Sequence, residues 1–285
     1  MSAPPAPAAR YDAVAHASAA VVIAGYSTSF GWATRLLDEP VRTHVRDVYA
    51  LARVADEIVD EPGQWPTGQR AHLLTVLEEE TYQAMRTGHS ANLVVHAFAL
   101  TARRYGIGRD LVEPFFASMR ADLSVREHDA GTFAAYVHGS AEVVGLMCLR
   151  IFVRGDDAAY RDLAPGAAAL GAAFQKVNFL RDLAEDHDDR GRSYFPGVDV
   201  ARLADADRDA LLDDIDADLR AARAVIPRLP GSSRRAVRAA HDLFAALSRR
   251  LRATPAARIA QTRVRVPDLV KAGIVARAVL AEGRR

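Results

Sequence analysis

Cysteine and long apolar runs are what this chain of 285 residues has least of. Its single cysteine, Cys148, excludes an internal disulfide and a zinc site built from cysteines, and it fits a reducing, cytoplasmic setting. The longest stretch free of Asp, Glu, Lys and Arg, residues 13–34, contains a histidine and several hydroxyl side chains that are costly in lipid. The sequence therefore predicts neither a membrane-spanning helix nor a secretion signal.

An excess of charge of one sign is lacking as well. The chain has 37 Lys and Arg against 36 Asp and Glu, a net charge of +1, which excludes a general affinity for nucleic acid. The two signs are unevenly distributed, because residues 220–285 are rich in arginine and residues 182–218 in aspartate. Prolines interrupt the basic section, so we expect its arginines to cover a helix surface and one rim of a pocket.

Strand patterns are also missing, since no segment shows sustained alternation of apolar and polar residues, whereas helix-forming residues dominate. Proline and glycine fall at helix-sized intervals and predict about eight or more helices. We expect a single all-α domain over residues 11–285, after a disordered Ala- and Pro-rich tail over residues 1–10. The expected helix ends include Pro40, Pro62-Gly63, Gly88, Gly106, Gly155, Pro165-Gly166, Pro196-Gly197 and Pro230-Gly231.

A stripe of polar residues follows one of these helices. Tyr49, Arg53, Asp56 and Asp60 are spaced i, i+4, i+7 and i+11, which at about 100° per residue places them on one face. We call these four residues the first acidic stripe. The adjacent face carries only Val, Leu and Ala and is expected to face the core. Taken alone, the stripe is more typical of a solvated helix face with an Arg–Asp pair.

The second acidic stripe consists of Gln175, Asn178, Asp182 and Asp186, spaced i, i+3, i+7 and i+11. The preceding residues 163–174 carry no charge, so this helix is expected to emerge from the interior. Clustered carboxylates repel one another and lose hydration there unless cations compensate them. Carboxylate and amide oxygens suit Mg²⁺, or Mn²⁺, rather than Zn²⁺. Two such helices, with arginines beside them, predict a site for a metal-bridged diphosphate.

Three segments carry motifs of a known family. They are Tyr26-Ser27-Thr28-Ser29-Phe30, the first acidic stripe, and the second acidic stripe with Arg181 and Glu185 inside it and Arg192-Ser193-Tyr194-Phe195-Pro196 after it. In this order and spacing they resemble the amino-terminal substrate motif and the two aspartate-rich motifs of the phytoene/squalene synthase family. The resemblance covers most of the chain, from about residue 26 to residue 196, and continues more weakly to residue 271.

The resemblance implies one isoprenoid-synthase-type helical domain, whose apolar central cavity is capped by the two acidic stripes. Members of the family join two identical prenyl diphosphates head to head, through a cyclopropylcarbinyl diphosphate, with the help of Mg²⁺. Carried over to this chain, the implied metal ligands are Asp56, Asp60, Asn178, Asp182 and Asp186, and the four aspartates are also implied to be catalytic. The implied diphosphate and substrate contacts are Ser27, Ser29, Phe30, Tyr49, Arg53, Gln175, Arg181 and Arg192.

A middle segment, Tyr136 to Gly145, also resembles the family but departs from its commoner form. Tyr136 matches the tyrosine to which the family assigns a proton-transfer or cation-stabilising role. A core tyrosine with a satisfied hydroxyl is the other interpretation. Glu142 stands where the commoner form has a small residue, so we expect it to face away from the cavity or to pair with an arginine such as Arg150.

Two further sets of residues are weaker candidates. Arg263, Arg265 and Lys271 resemble a basic segment that reaches diphosphate, but a solvated basic face is the favoured interpretation. Four aromatic residues are candidates for the cavity wall, and ordinary core packing explains them equally well. They are Phe30, Trp32, Phe174 and Phe179.

The favoured function is the condensation of two C20 geranylgeranyl diphosphates to phytoene, in carotenoid biosynthesis. Three alternatives stay open: the same chemistry on C15 farnesyl diphosphate to give squalene or dehydrosqualene, a class I terpene cyclase, and a non-catalytic assembly factor. A water-insoluble product and a basic carboxy-terminal section predict a cytoplasmic enzyme with peripheral membrane contact. Prenyl diphosphates and downstream carotenoid enzymes are the expected partners, and nucleic acid is not.

Overall fold

The computed structural model describes residues 7–26, 33–60, 65–184 and 194–280. These residues form α-helices joined by short turns and contain no strand, so the predicted all-α fold is confirmed. A π-helical segment occupies His138–Glu142, and 3-10 turns occupy Val200–Arg202 and Ile226–Arg228. The α-helices are α1 (Pro7–Tyr26), α2 (Val41–Asp60), α3 (Thr67–Thr87), α4 (Leu93–Tyr105), α5 (Arg109–Ala121), α6 (Ala130–Val137), α7 (Val143–Phe152), α8 (Asp157–Arg181), α9 (Asp205–Val225), α10 (Gly231–Arg252), α11 (Ala256–Ile259) and α12 (Asp268–Leu280).

Most helix ends lie where proline and glycine predict them. Helix α2 begins directly after Pro40, and α3 and α4 end at Gly88 and Gly106, whose φ angles of 83° and 69° favour glycine. Two expectations were wrong. Residues 7–10 belong to α1 rather than to a tail. Helix α8 continues through Pro165, because one proline removes a single hydrogen bond while packing against neighbouring helices holds the other turns.

A buried hydrogen-bond network joins α1, α2 and α4. The fully buried carboxylate of Asp47 accepts a hydrogen bond from the Thr101 hydroxyl at 2.6 Å and bonds Nδ1 of His16 at 2.9 Å. Nδ1 of His44 lies 2.7 Å from the same hydroxyl oxygen. The bond to Asp47 raises the pKa of His16. Because a buried carboxylate requires such partners, the network holds α1 against the part of α2 that precedes the first acidic stripe.

Close backbone contacts surround α8. A Cβ atom on Gly171 would lie 2.6 Å from the carbonyl oxygen of Ala141 in the π-helical segment. A Cβ atom on Gly145 of α7 would lie 2.9 Å from the carbonyl oxygen of Ala167. Such distances are shorter than van der Waals contact, so only glycine permits this packing. The contacts fix the helix whose last turns carry the start of the second acidic stripe.

One stretch of the described chain, Ala130–Phe152, is long and apolar enough to cross a membrane by length and composition. It comprises α6, the π-helical segment and α7. The stretch packs against α2, α5 and α8, and Val143 and Ile151 are fully buried among them. Helix α7 is therefore a core helix, whereas most residues of α6 are exposed.

Gly171→Ala is expected to lower the free energy of unfolding by about 1–3 kcal/mol, because the added methyl group would overlap the backbone of the π-helical segment. The matched control is Gly273→Ala in α12, where no described atom lies within 4 Å of the added Cβ. Removing the flexibility of that glycine is expected to stabilise the protein by about 0.5–1 kcal/mol. Urea unfolding followed by circular dichroism measures both variants, and similar effects for the two would contradict the close contact.

Candidate active site

A cavity of about 670 Å³ lies between α2, α5, α7, α8, α9 and α10. The two ends of the cavity differ in polarity. Leu163 lines one end and Arg181 the other, and these two residues are separated by about 27 Å along the axis of α8. The polar end, which we call the mouth, is lined by Tyr26, Tyr49, Arg53, Asp56, Gln175, Asn178, Arg181 and Arg263. The apolar end is lined by residues that include Phe152, Leu163, Val225, Ile226, Leu229 and Val237.

On the α2 side of the mouth, Arg53 binds the neighbouring carboxylates. One guanidinium nitrogen donates a hydrogen bond to Asp56, and another donates to Oε2 of Glu57 at 2.6 Å. The Arg53 guanidinium also lies 4.4 Å from the centre of the Tyr26 ring. Partial burial opposes the charge, but the carboxylates outweigh it and raise the pKa of Arg53. Asp60, the last residue of α2, is outside the cavity lining.

On the α8 side, Asp182 binds two arginines. It lies just beyond the last helical residue of α8, accepts a hydrogen bond from Nε of Arg181 at 2.7 Å, and forms an ion pair with Nε of Arg263 at 2.9 Å. Arg263 lies between α11 and α12, where its side chain is exposed, as the favoured interpretation predicts, and also lines the cavity. Lys271 instead pairs with Asp268 at 3.0 Å.

The mouth offers oxygen ligands for a cation. Asn178 lines it, and its Oδ1 atom is buried without a hydrogen-bond partner among the described residues. A buried amide oxygen without a donor is costly, and such an oxygen is a usual ligand of hard cations. Asp56 and Asp182 add carboxylates at the same end of the cavity. A donor set made only of oxygens is compatible with the predicted Mg²⁺ and unlike that of a zinc site.

Tyr136 lines the cavity and is held by Asp122, a residue that the sequence analysis missed. The Tyr136 hydroxyl donates to the two carboxylate oxygens of Asp122, at 2.8 and 2.9 Å. Burial, followed by the negative charge of Asp122, raises the pKa of Tyr136 well above its usual value, so the hydroxyl stays protonated. The ring of His128 lies 5.0 Å away, and burial lowers its pKa. Asp122 directly follows α5 and belongs to no helical stripe.

Glu142 is outside the cavity lining, as one of the two expectations for it predicts. Its carboxylate bonds Nδ1 of His138 at 2.9 Å, one turn earlier in the π-helical segment. The alternative partner, Arg150, donates to Asp157 and lies 3.7 Å from the centre of the Tyr160 ring. The suggested pair between Glu142 and Arg150 was therefore wrong.

Aromatic rings form part of the cavity wall. Phe174 and Phe244 both line it, and their rings stack with centres 3.8 Å apart. Phe179, another candidate for the wall, stacks on Tyr194 at 3.9 Å within the core, and the candidates Phe30 and Trp32 lie outside the described residues. Ser140 also lines the cavity, and its hydroxyl oxygen is buried without a hydrogen-bond partner in the described ranges.

The predicted site residues divide into three groups. Ser27, Ser29, Phe30, Asp186 and Arg192 lie outside the described residues. Asp182 binds two arginines that line the mouth, and Asp60 lies one helical turn beyond Asp56. The structure brings the others together around one cavity, namely Tyr49, Arg53, Asp56, Tyr136, Gln175, Asn178 and Arg181.

An all-α domain around an apolar cavity, with acids and arginines at its mouth, defines a fold of the isoprenoid synthase type. Residues 23–269 match the squalene/phytoene synthase family, and the chain belongs to this family. The sequence resemblance stated above is thereby confirmed.

Similar proteins include phytoene synthases and a dehydrosqualene synthase. The chloroplastic phytoene synthase 1 of Zea mays is 29% identical over 195 residues, which cover 65% of this chain and 45% of the maize protein. The 15-cis-phytoene synthase of Enterobacter agglomerans is 28% identical over 245 residues, 76% of this chain and 79% of that protein. A solved dehydrosqualene synthase in complex with a ligand has a TM-score of 0.81 at 19% identity, covering 97% of this chain and 99% of its own. The chain thus spans about half the length of the maize relative and has the fold of the solved enzyme.

Tyr136→Phe is expected to lower the free energy of unfolding by about 1–3 kcal/mol, because it leaves the buried Asp122 carboxylate without this donor. Adding Asp122→Asn to that variant removes the charge and is expected to recover part of the loss. Thermal unfolding of the single and double variants in a double-mutant cycle measures the coupling. Strictly additive effects would show that the two side chains do not depend on each other.

Proposed function

We propose that this protein is a Mg²⁺-dependent prenyltransferase that joins two geranylgeranyl diphosphates head to head to give phytoene. The observation that carries the proposal is the polarity of the cavity, with arginines and carboxylates at the mouth and apolar side chains at the other end. An amphiphile with a charged head and a long hydrocarbon chain suits such a cavity. The phytoene synthases among the relatives support the choice of substrate and of a carotenoid product.

Three arginines at the mouth are the groups of this chain that bind the diphosphate. Arg53, Arg181 and Arg263 carry guanidinium groups, which hold phosphate oxygens in a bidentate manner and stay charged at physiological pH. All three now bind carboxylates, so a diphosphate competes with Asp56 and Asp182 for them. The same guanidinium groups thus bind carboxylates when the site is empty and the diphosphate when substrate is bound.

The two acidic stripes supply the proposed metal ligands. Mg²⁺ held by these residues would neutralise the diphosphate and make it a competent leaving group. The buried, unpartnered Oδ1 atom of Asn178 supports its place in this set. The ligands that we propose are Asp56, Asp60, Asn178, Asp182 and Asp186.

The rest of the cavity protects and stabilises a carbocation. Loss of diphosphate from one substrate leaves an allylic cation, which the double bond of the second substrate attacks, and loss of a proton closes the cyclopropane ring. Loss of the second diphosphate, rearrangement and loss of a further proton then give phytoene, so no reductant is needed. The apolar walls exclude water that would quench the cation, and the faces of Phe174, Phe244 and Tyr136 stabilise positive charge. The Tyr136 oxygen can accept a proton while its own hydroxyl proton passes to Asp122, which already binds it, so that Tyr136 ends protonated as before and Asp122 carries the proton.

A second candidate function is the same reaction with two farnesyl diphosphates. The match in fold to a dehydrosqualene synthase favours it. Incubation with labelled C15 or C20 diphosphate and Mg²⁺, followed by mass spectrometry of the extracted hydrocarbon, separates the two candidates. A terpene cyclase would convert one diphosphate to a cyclic product, and an assembly factor would release no diphosphate.

Asp182→Ala is expected to reduce hydrocarbon formation about a thousandfold, because loss of leaving-group stabilisation raises the barrier by several kcal/mol. The matched control is Glu113→Ala on α5, an exposed carboxylate outside the cavity, which is expected to keep full activity. Binding of Mn²⁺, followed by electron paramagnetic resonance, gives a readout independent of turnover. Near-native activity or unchanged Mn²⁺ binding in the Asp182 variant would overturn the metal assignment.

We further propose that the enzyme works at a membrane surface, because its product is a hydrocarbon insoluble in water. The basic carboxy-terminal section supplies attraction to acidic headgroups, which extends over a Debye length of about 10 Å at ordinary salt. Leu269 and Val270, at the start of α12, are exposed apolar side chains in that section, and Leu269 is 89% exposed. Together they suit weak, reversible binding to a lipid interface.

Vesicle co-sedimentation tests this location. Binding is expected to require anionic lipid and to weaken as salt rises, because both effects follow from screening of the basic section. Leu269→Asp is expected to reduce binding several-fold, whereas Val76→Asp on α3, where Val76 is 44% exposed, serves as the matched control. Equal binding of the two variants, or binding to neutral vesicles that is insensitive to salt, would contradict the proposed surface.

A further inference from the structure

A second cavity, of about 500 Å³, lies between α9, α10 and α12. Five arginines line it, and we call this cavity the basic groove. The sequence predicts that arginines of this section cover a helix surface and one rim of a pocket, and these five line a pocket. They are Arg220 and Arg223 on α9, Arg238 and Arg249 on α10, and Arg277 on α12.

The basic groove is separate from the candidate active site. Val225 on α9 and Leu243 on α10 line the main cavity, whereas the groove arginines lie on other faces of the same two helices. On α10, residues 238 and 249 are spaced i and i+11, which places both on one stripe. The two helices therefore separate an apolar cavity from a basic one.

Only part of the positive charge in the basic groove is compensated. Arg223 pairs with Asp242 at 3.2 Å. The other carboxylate of the groove, Asp216, is bound by Arg252 at 3.0 Å and by the Ser248 hydroxyl at 2.7 Å. The other four groove arginines have no side-chain ion pair or hydrogen bond to any residue within the described ranges. Like charges gathered around a concave surface raise the local potential and attract anions.

We propose that the basic groove binds a phosphate anion, either a free diphosphate or the headgroup of an acidic phospholipid. Guanidinium groups recognise phosphate through paired hydrogen bonds and remain charged at physiological pH. Leu219, Ala245 and Ala278 complete the lining with apolar surface that does not repel an anion. Because both carboxylates of the groove already have cationic partners, an added anion meets the four arginines that form no ion pair within the described ranges.

Chemical modification locates the site on the intact protein. Phenylglyoxal reacts with accessible arginines, and peptide mass spectrometry reads the rate at each position. Inorganic diphosphate, added with EDTA so that no divalent metal is present, is expected to slow modification of the groove arginines. Arg250 and Arg258 are exposed, lie outside the groove and serve as internal controls. A second arm replaces diphosphate with vesicles of phosphatidylglycerol, with phosphatidylcholine vesicles as the neutral comparison.

A pair of variants measures the contribution of the groove. Arg220→Gln/Arg238→Gln is expected to weaken diphosphate binding at the groove about 100-fold, about tenfold for each charge-assisted hydrogen bond removed. The matched control, Arg250→Gln/Arg258→Gln, removes the same charge elsewhere and is expected to leave binding unchanged. Titration calorimetry without divalent metal measures diphosphate binding to both double variants. A binding event that is lost in Arg220→Gln/Arg238→Gln and kept in the control is assigned to the groove.

The outcomes distinguish the source of the phosphate. Protection of the groove arginines by diphosphate supports a soluble ligand, and protection by phosphatidylglycerol vesicles alone supports a lipid headgroup. The proposal is overturned if neither probe protects these arginines, or if the controls are protected to the same degree. Equal binding by the two double variants overturns it as well.

Discussion

Close packing of helix backbones around α8 is the constraint on which the cavity and its mouth depend. Gly171 and Gly145 let α8 approach the π-helical segment and α7 to distances that a side chain would prevent. Where α8 has Phe174 instead, a bulky ring faces Phe244 of α10 and lines the cavity. The distribution of small and large side chains along one helix therefore decides where backbones touch and where space is left. The second acidic stripe begins at the end of this packed region, so its position follows from the same contacts.

Arginines supply the positive charge at both charged regions of the molecule, but the two regions differ in how far carboxylates balance that charge. At the mouth, Arg53, Arg181 and Arg263 are matched by carboxylates, and the local charge is nearly balanced. In the basic groove, carboxylates compensate only part of the charge. A balanced cluster favours exchange of one anion for another, whereas an unbalanced cluster favours net uptake of an anion. The near-zero net charge of the chain conceals this difference.

Local patterns in the sequence predicted the all-α fold, most helix ends and the residues of the mouth that share a helix face. The second acidic stripe could be predicted because helical spacing places Gln175 and Asn178 on one side of α8. Contacts between distant parts of the chain have no such periodic signal. Asp122 and Arg263 reach Tyr136 and Asp182 only because separate helices pack together. The π-helical turn likewise places His138, rather than Arg150, beside Glu142.

Cys148 lines the cavity from α7, and its apolar surroundings raise the pKa of the thiol to about 12. At neutral pH the thiol is therefore protonated, and a protonated thiol is a poor nucleophile. The only cysteine of the chain is therefore a weak nucleophile where it stands. An electrophile held in this cavity would alkylate Cys148 only slowly. Oxidants and thiol reagents in the surrounding solution would likewise react slowly with this thiol.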